Sequence, residues 1–290
     1  MTPIFGRLTV AGVGLIGGSL ALAARARGLV GEVVGFGRSR KNLEVARARG
    51  IVDMVADDAA QAVEGADAIV LAAPVAACID LAARFRPFAR RGTVLTDVAS
   101  VKADLVEALE RCWGDTGPVV GSHPIAGSDE SGAAAAKPAL FERRLCILTP
   151  TARTDPAALA RMRALWEGVG ARVEEMDAAA HDEILARVSH LPHVVAYALV
   201  AALTGMQIGG RHILDYAGTG FLDTTRIAGS RAEVWREIAV ANAPALGRAL
   251  GEFRRALERL EALIAAEDAK GLQAALAEIE AVRRRLGDRT

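Results

Sequence analysis

Several things are scarce in this sequence, and each shortage narrows what it can be. Of 290 residues only three are cysteines, Cys78, Cys112 and Cys146. They are odd in number, scattered and without CxxC spacing, which argues against a disulfide framework or a cysteine zinc site and fits reduced packing residues of a cytoplasmic protein. Net charge is also missing. The 35 basic residues balance 35 acidic ones without a polybasic run, so nothing points to nucleic acid or an anionic membrane. A small anionic substrate needs only a few placed arginines, and that stays open. Lysine is nearly absent: Lys41, Lys102, Lys137 and Lys270 stand against many arginines and alanines, a bias that reads as genome composition. The most apolar stretch, residues 68–79, is too short to span a bilayer and contains Pro74, and the N-terminus enters a strand with no signal-peptide pattern. What the chain does have is 52% apolar residues, enough for a large core, and a length comfortable for two domains.

The first half alternates short β-rich runs with helical stretches. Strands are expected at 8–12, 32–37, 67–73, 93–97, 119–121, 145–149 and 172–176. Helices are expected at 15–27, 41–49, 76–85, 102–112 and 156–169. Alternation at this length predicts an α/β fold, an N-terminal Rossmann doubly wound parallel sheet. After Asp177 the patterns are helical, with no convincing strand: 182–202 interrupted at Pro192, then 234–261 and 271–286. The expected division is a dinucleotide-binding domain at 1–177 and an all-α domain for substrate binding and dimerisation at 178–290. The run Val194, Val195, Ala196, Ala198, Leu199, Val200 is too continuous for a one-sided surface helix. It predicts burial on all sides, against a second subunit in a homodimer or at the centre of its own domain.

The clearest local signal follows the first strand: Gly12-Val13-Gly14-Leu15-Ile16-Gly17. This is GxGxxG between a strand and a helix. The first glycine permits the tight turn, the second lets a pyrophosphate approach the backbone, and the third lets helix and strand pack closely. The second strand ends Gly37-Arg38-Ser39-Arg40, without the carboxylate that usually accepts a ribose 2′-hydroxyl. Arg38, Ser39 and Arg40 instead suit a 2′-phosphate, which favours NADP over NAD. Arg38 stacked on adenine or simply solvated allows either cofactor. Leu15 and Ile16 in the loop, with Ala73, Pro74 and Asp97 at the ends of the third and fourth strands, complete the expected cofactor set.

Polar segments gather where parallel strands end or in the helical half. DVASVK (97–102), GSHPIAGS (121–128), HDEILARVSHLPH (181–193) and TRIA (225–228), behind GVGLIGGSLA (12–21), resemble the prephenate/arogenate dehydrogenase family of tyrosine biosynthesis. The resemblance runs from residue 8 to about 235, and the last helices suit the family's dimerisation region. It implies an oxidative decarboxylation in which prephenate gives a hydride to NAD(P) and loses its ring carboxylate as carbon dioxide, forming 4-hydroxyphenylpyruvate. His123 is implied as the group that takes the ring hydroxyl's proton, a task suited to a side chain titrating near neutral pH. Ser100 is implied to orient the same hydroxyl, and it also suits a helix N-cap. Arg226 is implied to hold the side-chain carboxylate with its guanidinium fork. Ser128, His181, Ser189, His193 and Trp235 match pocket positions of the family. No metal is expected, because Pro192 bends the His190–His193 spacing and no cysteine or carboxylate set completes it. Leu222 departs from relatives that carry a basic residue there. No mutase domain is expected before the Rossmann unit and no ligand-sensing domain after it.

Three alternatives remain at this stage. An arogenate or cyclohexadienyl enzyme would give tyrosine directly; an acid such as Asp129, Asp182 or Asp223 would favour it, and His193 the keto acid. A β-hydroxyacid dehydrogenase needs a catalytic lysine on a helix of the second domain, where only Lys270 occurs. A non-catalytic NADP sensor would be free to lose His123, Ser100 and Arg226, yet all three are present.

Overall fold

The structure is a computed structural model that describes residues 2–127 and 130–287. Its first part is built from β1 (Phe5–Ala11), α1 (Leu15–Ala26), β2 (Val30–Phe36), α2 (Arg40–Ala48), β3 (Met54–Val55), α3 (Ala59–Val63), β4 (Ala68–Leu71), α4 (Val75–Phe85), β5 (Val94–Asp97), α5 (Ala103–Trp113), β6 (Val119–Pro124), β7 (Leu145–Thr149), α6 (Pro156–Gly168) and β8 (Arg172–Glu175). The strands form one sheet in the order β3-β2-β1-β4-β5-β6-β7-β8. This is the doubly wound sheet expected from the alternation, with the order reversing between β1 and β4, where a ligand crevice opens beyond the strand ends. One departure is the β6–β7 pair, which is antiparallel. Between these strands the described chain forms only a 3₁₀ turn at Ala133–Ala135, so there is no crossover helix to return it parallel.

Both sheet faces are covered, which explains why the strands read as continuous apolar runs. On one face Leu20 and Ala24 of α1, Leu43 of α2 and Met162, Leu165 and Trp166 of α6 close a core with Val10 and Val33. On the other, Phe85 of α4 and Leu105, Leu109 and Trp113 of α5 pack with Ile69, Leu71 and Leu95. Each such fully buried side chain contributes about 1.5–3 kcal/mol of apolar transfer. Cys78 and Cys146 are buried in this packing, and burial pushes the Cys78 thiol up to about 12.

Beyond Asp177 come α7 (Ala178–Leu185), a π turn (Ala186–His190) and α8 (Leu191–Leu203). They run as one 26-residue helix that is long and apolar enough to cross a membrane by length and composition, so the longest apolar stretch lies here and not at 68–79. The break expected at Pro192 takes the form of the π turn just before it. Proline lacks an N–H and crowds the preceding turn, and widening that turn accommodates it. Next come a hairpin of β9 (Gln207–Ile208) and β10 (Arg211–His212), then α9 (Thr219–Thr225) and α10 (Ala232–Ala241). The hairpin corrects the expectation of no strand after 177. Its turn residues Gly209 and Gly210 both take positive φ, 60° and 76°, the conformation a two-residue hairpin turn needs. The run at 194–200 is not buried on all sides within the chain: only Ala196 is fully covered and Leu199 stays exposed.

By compactness the chain divides at Asn242, and α11 (Ala243–Ala265) and α12 (Ala269–Gly287) form a second unit. Helices α7 to α10 fall with the sheet because side chains such as Asp182 bond directly to the start of α5. Leu257 and Ile264 of α11 and Leu276, Ile279 and Val282 of α12 are exposed in the single chain.

Candidate active site

The glycine loop assigns each glycine a different task. Gly12 has φ +102°, and a Cβ there would run into the Ala72 carbonyl. A Cβ on Gly17 would lie 2.8 Å from both Ala72 and Val10, so only glycine lets α1 approach the sheet. A Cβ on Gly14 would meet nothing within 4 Å. That open space sits at the N-terminus of α1, where Gly14 is the cap without a side-chain bond and the first turn carries no acid. The N–H groups of Leu15 and Ile16 and the positive end of the helix are thus left for an anion, the arrangement a dinucleotide pyrophosphate requires. Asn42 braces the loop: its amide donates to the Val13 carbonyl at 2.7 Å and accepts from Ala133 N at 2.8 Å. Ala73 and Pro74 flank the same crevice between β4 and α4.

The arginine cluster after β2 resolves into separate roles. Ser39 Oγ caps α2 by accepting from Asn42 N. Arg40 is held by Asp57 and Glu44. Arg38 is exposed and pairs with no side chain among the described residues. Of the three residues expected to meet a 2′-phosphate, Arg38 alone is unengaged.

At the end of β6 lies the histidine cluster. His123 Nδ1 is 2.9 Å from His181 Nε2, and His181 Nδ1 is 2.8 Å from Asp182 Oδ1. Asp182 in turn accepts from the backbone N–H groups of Lys102 and Ala103, each at 2.8 Å. Two expectations change here. Asp182 is committed to the α5 N-terminus and to His181, so it is not available to a substrate ammonium. His181 is fully buried with both nitrogens engaged, and stands behind His123 instead of in the pocket. His123 Nε2, by contrast, has no hydrogen-bond partner among the described residues. Burial, then the neighbouring His181, Lys102 and His190, hold His123 well below its ordinary value, so it is neutral at pH 7 and able to accept a proton.

Beneath the cluster lies a group the sequence reading passed over. Lys102 is entirely buried and ion-paired with Asp97, which is equally buried and also accepts from Ala99 N at 2.8 Å. Asp97 was expected to meet the cofactor, but its carboxylate is turned inward to this pair; one oxygen, Oδ1, has no partner. The signal was available in DVASVK, where one of only four lysines stands five residues after an acid. Ser100 is half-buried and does not cap α5, because Asp182 performs that task from another helix. Its hydroxyl bonds nothing among the described residues and is left for a ligand.

The remaining pocket residues lie on the helices. His193 Nδ1 donates to the Ser189 carbonyl at 3.0 Å, which leaves Nε2 as an acceptor. Its ring stacks on Trp235, centroids 3.4 Å apart. Burial lowers His193, the Ser189 bond opposes this, and the positive charge of Arg226 adds to the lowering. Arg226, at the end of α9, has no carboxylate partner among the described residues. His190, also buried, accepts from Asn242 Nδ2 at 3.1 Å. Asn242, another residue the sequence reading missed, also donates to the Asp182 carbonyl at 2.8 Å. Ser128, expected in the pocket, and Asp129 lie outside the described residues.

A Rossmann sheet with an open anion cradle, and at the same strand ends a neutral histidine, a free serine hydroxyl and an uncompensated arginine, define a nicotinamide-dependent dehydrogenase of a carboxylate-bearing substrate. Comparison with known proteins carries this further. The nucleotide-binding domain of prephenate dehydrogenase matches residues 20–175, and the dimerization domain of prephenate dehydrogenase matches residues 177–278. Cyclohexadienyl dehydrogenase of Zymomonas mobilis is 36% identical over 91% of this chain and 90% of its own. Prephenate dehydrogenase of Aquifex aeolicus, solved with hydroxyphenyl propionate and NAD+, superposes with a TM-score of 0.93 at 34% identity, covering 97% of this chain and 98% of that one. Synechocystis arogenate dehydrogenase gives a TM-score of 0.84 at 32% identity, over 97% and 99%. The chain belongs to the prephenate dehydrogenase family.

Proposed function

We propose that this protein oxidatively decarboxylates prephenate to 4-hydroxyphenylpyruvate. The observation that carries this reading is the neutral His123, whose one free nitrogen lies at the strand ends with the free hydroxyl of Ser100. When the substrate's ring hydroxyl meets them, Ser100 orients it and His123 Nε2 accepts its proton. As that O–H bond breaks, the ring carbon can give up its C–H bond pair. A nicotinamide dinucleotide, its pyrophosphate held by the Gly14 cradle, would supply the hydride acceptor. The C–C bond to the ring carboxylate then breaks, its electron pair completes the aromatic ring, and carbon dioxide leaves. Arg226 supplies the fork for the side-chain carboxylate. His193 and Trp235 wall that end of the pocket.

A second reading is favoured by one detail. His193, with its proton fixed on Nδ1 by the Ser189 carbonyl, offers Nε2 as an acceptor, which suits the ammonium of arogenate better than the keto oxygen of prephenate. A cyclohexadienyl enzyme taking both substrates agrees with this. For the cofactor, the unpaired Arg38 supports NADP, while the NAD+ in the Aquifex aeolicus structure supports NAD. The test is a matrix of prephenate or arogenate with NAD or NADP, read as reduced-cofactor absorbance. Turnover with prephenate supports the proposal, turnover with arogenate alone replaces it by the second reading, and silence in all four overturns both.

We place the functional division near Asp177, where strand–helix alternation gives way to helices, with cofactor binding at 1–177 and substrate binding and dimerisation at 178–290. A homodimer fits the uncovered apolar side chains Val188 and Leu199 of the 178–203 helix and Ile279 of α12, and we place it in the cytoplasm with the biosynthetic relatives it resembles. In analytical ultracentrifugation the parent should sediment as a dimer, and Leu199→Asp should shift it toward monomer.

A further inference from the structure

We propose that His181 and Asp182 act with His123 as a hydrogen-bonded relay, which sets the proton of His123 on Nδ1 and takes up part of the positive charge when Nε2 accepts the substrate's proton. This rests on the reading above that His123 meets the ring hydroxyl.

The assignment follows from donors and acceptors. Asp182 accepts two backbone N–H groups, from Lys102 and Ala103, and a backbone N–H can only donate. Its carboxylate is therefore an acceptor throughout, and the contact to His181 Nδ1 at 2.8 Å requires the proton on that nitrogen. In the proposed relay His181 carries that one proton only, which leaves a lone pair on Nε2. The 2.9 Å contact to His123 Nδ1 requires His123 to donate there. One tautomer remains for His123: hydrogen on Nδ1, lone pair on Nε2, the nitrogen without a partner. The opposite order, with hydrogen on Nε2, would leave His123 unable to accept a proton.

The same chain serves the reaction. The substrate O–H bond breaks and an N–H bond forms at His123 Nε2. The Nδ1 proton can then shift to His181 Nε2, bringing the positive charge next to the Asp182 carboxylate. The proton later returns to the phenolate oxygen of the product, so none is consumed overall. The other titratable groups facing the cluster are Lys102 and Asp97, buried together and paired, and His190, held by Asn242. Their balance leaves Asp182 as the anion that touches the relay directly. Asp182 also ties α7 to the start of α5, so the element carrying His181 is fixed to the sheet that carries His123. His181 and Asp182 are positioning residues, for neither touches substrate.

The first test reads the tautomer directly. Nitrogen-15 NMR of histidine-labelled enzyme, with the five histidines assigned by single substitutions, should find the His123 proton on Nδ1. A proton on Nε2 in the parent overturns the proposal. The second test is Asp182→Asn, whose amide cannot accept from Lys102 N, Ala103 N and His181 Nδ1 together and carries no negative charge to set against a positive His181. We expect kcat to fall by about 10² or more with KM little changed, as expected where a base loses its orienting acid. His181→Gln keeps an acceptor for His123 and should fall less than His181→Leu, with the acid limb of the kcat–pH profile displaced in both; this pair decides if Asp182→Asn does not fold. Asp182→Asn or His181→Leu with kcat and pH profile unmoved overturns the relay. A parent enzyme inactive on every substrate, yet with Nδ1-protonated His123, sinks the functional reading and leaves the relay standing.

Discussion

The cofactor cradle and the histidine cluster share one sheet edge but are made in opposite ways. The cradle is made of backbone and of absent side chains: Gly12 turns, Gly14 stays empty and Gly17 admits the helix, all within six consecutive residues. The cluster is made of side chains from distant segments, with His123 and His181 58 residues apart, and burial sets its protonation. The cradle tolerates no added atom, whereas the cluster tolerates no lost hydrogen bond. A binding site for a constant ligand can be encoded locally, but a proton-transfer site needs an environment, and only packing supplies one.

The largest expected effect separates the two regions outright. His123→Asn should lower kcat by about 10²–10⁴ and leave cofactor affinity as it was, measured by turnover and by calorimetric titration with NAD(P). A matching loss of cofactor affinity would break the comparison by showing the regions are not independent. Next come the glycines. Gly12→Ala should cost about 1–3 kcal/mol in backbone strain, lower the melting temperature and abolish cofactor binding. Gly14→Ala should keep the melting temperature, because its Cβ meets no protein atom, and should lose affinity only for the cofactor. Equal melting losses for both would mean the Gly14 space is not the cradle.

Acid stability probes the cluster alone. Burial holds His123 well below its ordinary value and lowers His190 to about 4, the latter partly offset by Asp182. Both are neutral when folded, while the unfolded chain protonates near 6.5. Below that pH the unfolded state binds more protons, so their contribution is intact above about pH 6.5 and declines as pH falls toward 4. The slope is at most about 1.4 kcal/mol per pH unit for each histidine. Urea denaturation at several pH values checks this, and His190→Asn should flatten it. The smallest expected effect sharpens the cradle: Arg38→Ala should raise KM for NADP roughly tenfold, the worth of one charge-assisted contact, and leave NAD unchanged.

Much of this was legible in the chain. The glycine spacing after an apolar run, and strand–helix alternation up to Asp177, report local geometry that needs no distant partner. His123 and Arg226 were singled out only through the family resemblance of GSHPIAGS and TRIA, because a lone histidine before a proline or one arginine among many carries no such signal by residue type. The β9–β10 hairpin was overlooked although Gly209-Gly210 announced it, since two-residue strands are too short to show alternation. The direction in which His181, Asp182 and Asp97 face was not legible at all. Each is a polar residue in a promising segment, and sequence cannot separate a side chain that meets a ligand from one that braces a neighbour.

By itself, then, the sequence determined the sheet, the cradle and the inventory of reactive groups, because these depend on spacing along the chain. Tertiary structure decided which groups are free. Asp182 is spent on the start of α5, Ser39 on its own helix, Arg40 on Asp57 and Glu44, and Asp97 on Lys102. Among the described residues, His123 Nε2, Ser100, Arg38 and Arg226 remain unengaged. A hydrogen bond or ion pair across dozens of residues forms only when folding brings the partners into contact, and what such contacts leave over is what the site can use.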